Sequence, residues 1–168
     1  MLLEWNLTLP DSTVNQPWRS NEALSQVLLQ GHRVLFGSST HWSLDSGNGA
    51  WLNLADPLNP GTDSRVHPPY VDHCARYKNR RHINSYNPLS GEPDAQRYLI
   101  LGGKVHISGE MTDAVTLDGM LWPRAAAAAE VLWRGPGAHV SEDTARMLAE
   151  LSERLVLRGI MTSMVQME

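Results

Sequence analysis

Two acids and an indole stand where a polyhydroxylated ligand could be held. Asp45 and Glu110 fall in the loops beyond two short apolar runs, Val34–Phe36 and Val105–Ile107, and Trp18 lies beyond a third candidate strand. If those runs are parallel strands of an α/β barrel, the loops at their C-terminal ends carry the site. Carboxylates accept hydrogen bonds from sugar hydroxyls, and an indole face packs on a pyranose ring. The same residues also admit a plainer reading, in which Asp45 shapes a turn before Gly47, Glu110 caps a helix and Trp18 belongs to the core.

Other chemistries find less support. The chain has 7 histidines, yet none forms a His-x-x-x-His pair, and the His73-Cys74 doublet lacks the partners that zinc needs. No metal and no cofactor is expected. Ser, His and Asp are present without a Gly-x-Ser-x-Gly elbow or a spacing that nominates a nucleophile. The charge balance, 14 − 18 = −4, is mildly acidic, and the basic cluster Lys78-Asn79-Arg80-Arg81-His82 is short, so nucleic acid is not an expected partner. No apolar stretch approaches the ~20 residues of a membrane span, so no membrane partner is expected, and the first residues lack the basic start and apolar run of a signal peptide. The single cysteine, Cys74, cannot make an internal disulfide. Asn6-Leu7-Thr8 fits a glycosylation acceptor, which matters only in a secreted protein.

The elements that would position the acids and the indole can be read in outline. The 168 residues, 42% apolar with 6 Trp and 4 Tyr, suffice for one domain or part of a larger one. A short strand is expected around Thr13–Trp18. Ser20 is a plausible N-cap for a helix over about Glu22–Gln30, stopped by Gly31, and Arg33–Phe36 reads as a buried strand. From Ser38 to Gly91 turn-forming residues dominate, and a loop region of function is expected there. A short helix around Pro93–Leu99 leads through Gly102-Gly103 to a strand over Val105–Ser108. Pro123 opens a helix from Arg124 to Trp133, whose alanines, Ala125–Ala129, allow close packing. A last helix of about seventeen residues starts at Ser141 and Asp143, carries Met147, Leu148, Leu151 and Leu155 on one stripe, and ends at Gly159.

Four segments carry a resemblance. Glu4-Trp5-Asn6-Leu7-Thr8-Leu9-Pro10, Leu44-Asp45-Ser46-Gly47-Asn48-Gly49, Leu101-Gly102-Gly103-Lys104-Val105-His106 and Leu121-Trp122-Pro123-Arg124-Ala125 closely resemble successive segments of fungal β-N-acetylhexosaminidases of glycoside hydrolase family 20. The likeness runs through nearly all of the chain and is most specific over Leu121–Trp133. It implies an α/β fold that is the C-terminal portion of a (β/α)8 TIM barrel, about three strand-helix units, open rather than closed. Residues 1–168 would then form a partial hexosaminidase-like catalytic domain with a long loop region at about 38–91. A complete barrel takes about 250 residues.

The resemblance also implies exo-acting hydrolysis of terminal N-acetylhexosamine, chitin fragments included, by substrate-assisted catalysis. In that mechanism an adjacent Asp-Glu pair orients the 2-acetamido group and protonates the leaving oxygen, a departure from the two-carboxylate scheme. No Asp-Glu pair of this chain matches that motif, since Glu142-Asp143 lies in the terminal helix, so the catalytic pair is expected upstream and this chain alone is expected to be inactive. Position by position, Trp18 matches an aromatic wall of the sugar pocket, Asp45 a hydroxyl-binding carboxylate and Glu110 another acid on the non-reducing-end sugar. Ser43 stands where the family has the Tyr that steadies the acetamido oxygen, and Ser108 where it has the Trp that closes the pocket. Lys104 replaces a usual Glu, Arg80 a Trp and Ser46 a usual Cys, which would orphan Cys74. The expected partner is an N-acetylhexosamine-containing glycan, with a homodimer or self-association beside it. A full-length form would be secreted or vacuolar. The alternative is a non-catalytic interaction or carbohydrate-binding protein that reuses the remnant barrel.

Overall fold

Three parallel strands in the order β1-β2-β3 make one small sheet, β1 being Val14–Asn15, β2 Arg33–Phe36 and β3 Ile100–Gly103. The computed structural model describes residues 7–45, 77–109, 112–135 and 142–165. Between β1 and β2 runs α1, Asn21–Leu29. The Ser20 hydroxyl accepts from Ala23 N at 3.3 Å and opens this helix. Its end is a Schellman turn: Gly31, at φ 79°, donates to Leu28 O, and His32 donates to Val27 O. Leu24, Val27 and Leu28 on its inner face pack against Val34 and Phe36 of β2.

β2 occupies the expected residues, and the other two strands correct the expectation. β1 ends at Asn15 rather than Trp18, because Pro17 has no N–H to continue a ladder. β3 lies upstream of Val105–Ser108 and contains the two glycines that read as a break. Gly103 is there because a side chain does not fit: a Cβ at that position would overlap the Trp42 ring and lie 2.7 Å from Phe36 O. The register also slips within the pair, from Val34↔Ile100 to Leu35↔Gly102, leaving Leu101 as the extra residue of a bulge. Pairing continues past β3, since Lys104 N donates to Phe36 O at 3.0 Å and Ser43 pairs with His106 in a parallel bridge.

The stretch expected to be loop from Ser38 to Gly91 is ordered at both ends, whereas 46–76 lies outside the described residues. Trp42 and Leu44 are buried, and α2, Arg80–Asn84, is a helix that turn-rich composition concealed. Its Asn79 cap accepts from His82 N at 2.9 Å, and Trp42 Nε1 donates across to Ile83 O at 3.1 Å. Next come α3, Asp94–Arg97, then α4, Leu117–Leu121, which the sequence reading missed, and α5, Arg124–Arg134. The face of α5 that carries Arg124, Ala127, Ala128 and Val131 is buried, and its alanines let α2 pack closely on it.

The last helix, α6, spans Glu142–Val156, and a turn at Gly159 (φ 82°) closes the segment after it. Leu148 and Leu155 are buried as expected, whereas Met147 is 43% exposed and leaves the inward stripe. Glu130 of α5 ties three helices together: it accepts from Asn84 Nδ2 and Thr144 Oγ1 and pairs with Arg134. Those partners offset the cost of a buried carboxylate. No helix among the described residues is long and apolar enough to cross a membrane.

Candidate functional site

The parallel sheet brings the ends of β1, β2 and β3 to one edge, and Trp18, Asp45 and Ser108 lie in the segments that follow those ends. The loops after β1 and β2 are joined: Ser39 N donates to Trp18 O at 2.7 Å, and the Ser39 hydroxyl donates to Arg19 O at 2.8 Å. The Trp18 indole is 38% exposed, which overturns its reading as a core residue. The Arg19 guanidinium lies 5.4 Å from its ring centre, and the His106 ring stands against it at 6.1 Å with a 70° interplanar angle.

Asp45, at the far end of the β2 loop, is buried and reaches across to the β3 loop. Its Oδ2 accepts from Ser108 N at 2.7 Å and its Oδ1 from Thr112 Oγ1 at 2.8 Å. Bonds to an ionised carboxylate are about twice as strong as neutral ones, so this residue fixes the loop after β3 relative to that after β2. Ser43 sits two residues earlier, fully buried, its hydroxyl without a hydrogen-bond partner. The backbone around it is pinned: Leu44 N donates to His106 O at 2.8 Å, and His106 N donates to Trp42 O at 3.0 Å.

Trp18, Ser43, Asp45 and Ser108 are thus linked through one network, in which His106 is the residue that sequence reasoning missed. The available signal was its place two residues before Ser108, on the same side of an extended segment. Lys104 Nζ donates to Gln16 Oε1 at 3.2 Å across the sheet. Arg80 is buried on α2. Glu110, Ser46 and Cys74 lie outside the described residues. Among the described residues there is no group of three or more His, Cys, Asp or Glu side chains placed to hold a metal ion.

Beside this network two imidazoles stack face to face, His41 on His82, with centres 4.2 Å apart and planes 6° from parallel. Thr40 joins them: its hydroxyl bonds to His41 Nδ1 at 2.8 Å and its carbonyl to His82 Nε2 at 2.7 Å. Burial, then the neighbouring His82 and Lys78, push the His41 pKa down to about 4. The same burial pushes the Tyr86 phenol, 4.8 Å from His41, well above its ordinary value. The native imidazole is therefore neutral where the unfolded one, near 6.5, already binds a proton. Stability falls as the pH drops from about 6.5 towards 4, because the unfolded chain takes up the extra proton in that window. The His41→Asn variant is expected to show a flatter stability profile across that range in urea unfolding. An unchanged slope would contradict the assignment.

The geometry is that of a parallel α/β sheet with polar and aromatic residues at its C-terminal edge, and comparison with known proteins identifies its lineage. The profile of the glycosyl hydrolase family 20 catalytic domain matches residues 1–136. The chain belongs to glycosyl hydrolase family 20. A β-hexosaminidase of Arthroderma benhamiae is 41% identical over 177 aligned residues, which cover 99% of this chain and 28% of that protein. A chitooligosaccharidolytic β-N-acetylglucosaminidase of Bombyx mori is 30% identical, with 99% of this chain and 27% of that one covered. Among solved structures, the family 20 exo-β-N-acetylglucosaminidase of Vibrio harveyi in complex with N-acetylglucosamine superposes with a TM-score of 0.63 at 21% identity, covering 93% of this chain and 22% of that one. The likeness shows that the family 20 fold extends to this sheet and its helices. The chain spans little more than a quarter of the length of these two relatives.

Proposed function

We propose that these residues form the last three strand-helix units of a family 20 barrel and supply the wall that holds the non-reducing-end N-acetylhexosamine. The observation that carries the reading is the convergence of Trp18 and Asp45, from two different strand ends, on the same network as Ser108. In this reading the half-exposed indole stacks on the pyranose ring, the Asp45 carboxylate accepts from a ring hydroxyl, and Glu110 adds a second carboxylate. The buried Ser43 hydroxyl and the short Ser108 side chain supply less contact to the acetamido group than the Tyr and Trp of the family. That favours weak retention of the sugar and, as a second reading, a carbohydrate-binding role without turnover.

Substrate-assisted hydrolysis also needs an acid to protonate the leaving oxygen and a carboxylate to orient the acetamido group. We assign neither to any residue among these 168. A direct test is the affinity of Trp18→Ala for N-acetylglucosamine, followed by ligand-observed NMR. Losing the stacking surface is expected to weaken binding by on the order of tenfold, about 1.4 kcal/mol, while the unfolding midpoint hardly moves because the indole is partly solvated. Equal binding by the variant would remove Trp18 from the site.

A further inference from the structure

Trp18, the indole proposed to carry the sugar, lies in the connection between β1 and α1, where neither a strand ladder nor a helix fixes its side chain. The hydrogen bond from Ser39 N to Trp18 O holds the backbone and does not direct the ring. Two groups meet that ring. The Arg19 guanidinium lies 5.4 Å from its centre, at the end of an exposed side chain with many rotamers. The His106 imidazole meets it edge-on, at 6.1 Å and 70°, a geometry that aromatic pairs favour.

Of the two, His106 is the one carried on a ladder. Its N–H donates to Trp42 O at 3.0 Å, its carbonyl accepts from Leu44 N at 2.8 Å, and it pairs with Ser43 in the parallel bridge that extends β3 along the loop after β2. Two residues on, Ser108 N donates to Asp45 Oδ2 at 2.7 Å. The segment that aims the imidazole at Trp18 therefore also holds the candidate carboxylate, so one pinned backbone sets the indole and the acid relative to each other. Both imidazole nitrogens are shielded from solvent. A ring so placed offers a bound sugar no nitrogen, and its effect on a ligand passes through the indole.

We propose that His106 is a positioning residue of the sugar wall: its imidazole sets the direction of the Trp18 indole, so that the ring face and the Asp45 carboxylate meet one N-acetylhexosamine together. This role rests on the sugar-wall reading and adds to it the residue that preorganises the stacking surface.

The test is a double-mutant cycle on the affinity of the whole chain for N-acetylglucosamine, read by ligand-observed NMR. His106→Ala is expected to weaken binding on the order of threefold to tenfold. His106→Phe, which keeps an aromatic edge against the indole, should restore most of the loss. In the Trp18→Ala background His106→Ala should have no further effect, because no ring is left to orient. Equal losses in both backgrounds would overturn the proposal, as would unaltered affinity in His106→Ala; both results leave the sugar wall standing when Trp18→Ala itself weakens binding. Undiminished binding by Trp18→Ala removes the sugar wall and the positioning role together. Should His106→Ala not fold, His106→Leu, which keeps volume without the aromatic edge, takes its place in the cycle. Nuclear Overhauser contacts between the His106 ring protons and the Trp18 indole are expected in the unaltered chain, and their absence would overturn the proposal whatever the variants do.

Discussion

The purified 168-residue chain is expected to release no chromophore from a chromogenic β-N-acetylglucosaminide above the rate of buffer. General acid catalysis contributes about 10²–10⁴-fold, and positioning of an internal nucleophile contributes further orders of magnitude, so if, as proposed, neither group is on this chain, turnover falls below detection. The sole adjacent pair of acids in the sequence is Glu142-Asp143. It lies in the first turn of α6, far in sequence from the strand ends, and Glu142 faces Arg146 at 3.9 Å on the helix surface. Steady turnover that disappears in Glu110→Gln would show that the catalyst lies on this chain.

Replacing Trp42 with Ala is expected to cost about 3–5 kcal/mol of stability, the range for removing a buried aromatic side chain. Trp42 is fully buried, meets Tyr86 edge-on at 5.1 Å, donates to Ile83 O and fills the space over Gly103. Its removal opens a cavity and leaves a buried carbonyl without its donor. A typical domain has only ~5–15 kcal/mol in hand, so the variant should be largely unfolded at 37 °C or shift its urea midpoint strongly downward. Trp42→Phe, which keeps most of the packing, should lose appreciably less. Equal losses in the two variants would mean that the indole N–H bond, rather than packing, dominates.

Local signals were readable where they act locally. Ser20 and Gly31 bracket α1, Pro123 precedes α5, and the apolar run Arg33–Phe36 is β2, because caps, proline geometry and burial pattern operate within a few residues. What escaped the sequence depends on distant contacts. Gly102 and Gly103 read as a break, yet Gly103 is in a strand because Trp42, sixty-one positions earlier, needs the room. Residues 80–84 read as loop, yet they are helical because Ile83 receives the Trp42 N–H and α5 offers a small-residue face.

The candidate site divides in the same way. Trp18 and Asp45 were legible from their places after strands and from the family resemblance. That Asp45 would bond to Ser108 N, or that His106 would stand against Trp18, is set by sheet register, which no local pattern encodes. The replacements at Ser43 and Ser108 were visible as residue types. The buried Ser43 hydroxyl without a hydrogen-bond partner became visible only once β3 and its extension were in register with β2.

The measurement that bears most directly on the sugar-wall reading is a crystal structure of this chain soaked with N-acetylglucosamine. The account predicts a pyranose ring stacked on the Trp18 indole, with a ring hydroxyl within hydrogen-bonding distance of an Asp45 carboxylate oxygen. A sugar bound elsewhere on the chain, or an empty Trp18 face at saturating sugar, would contradict it.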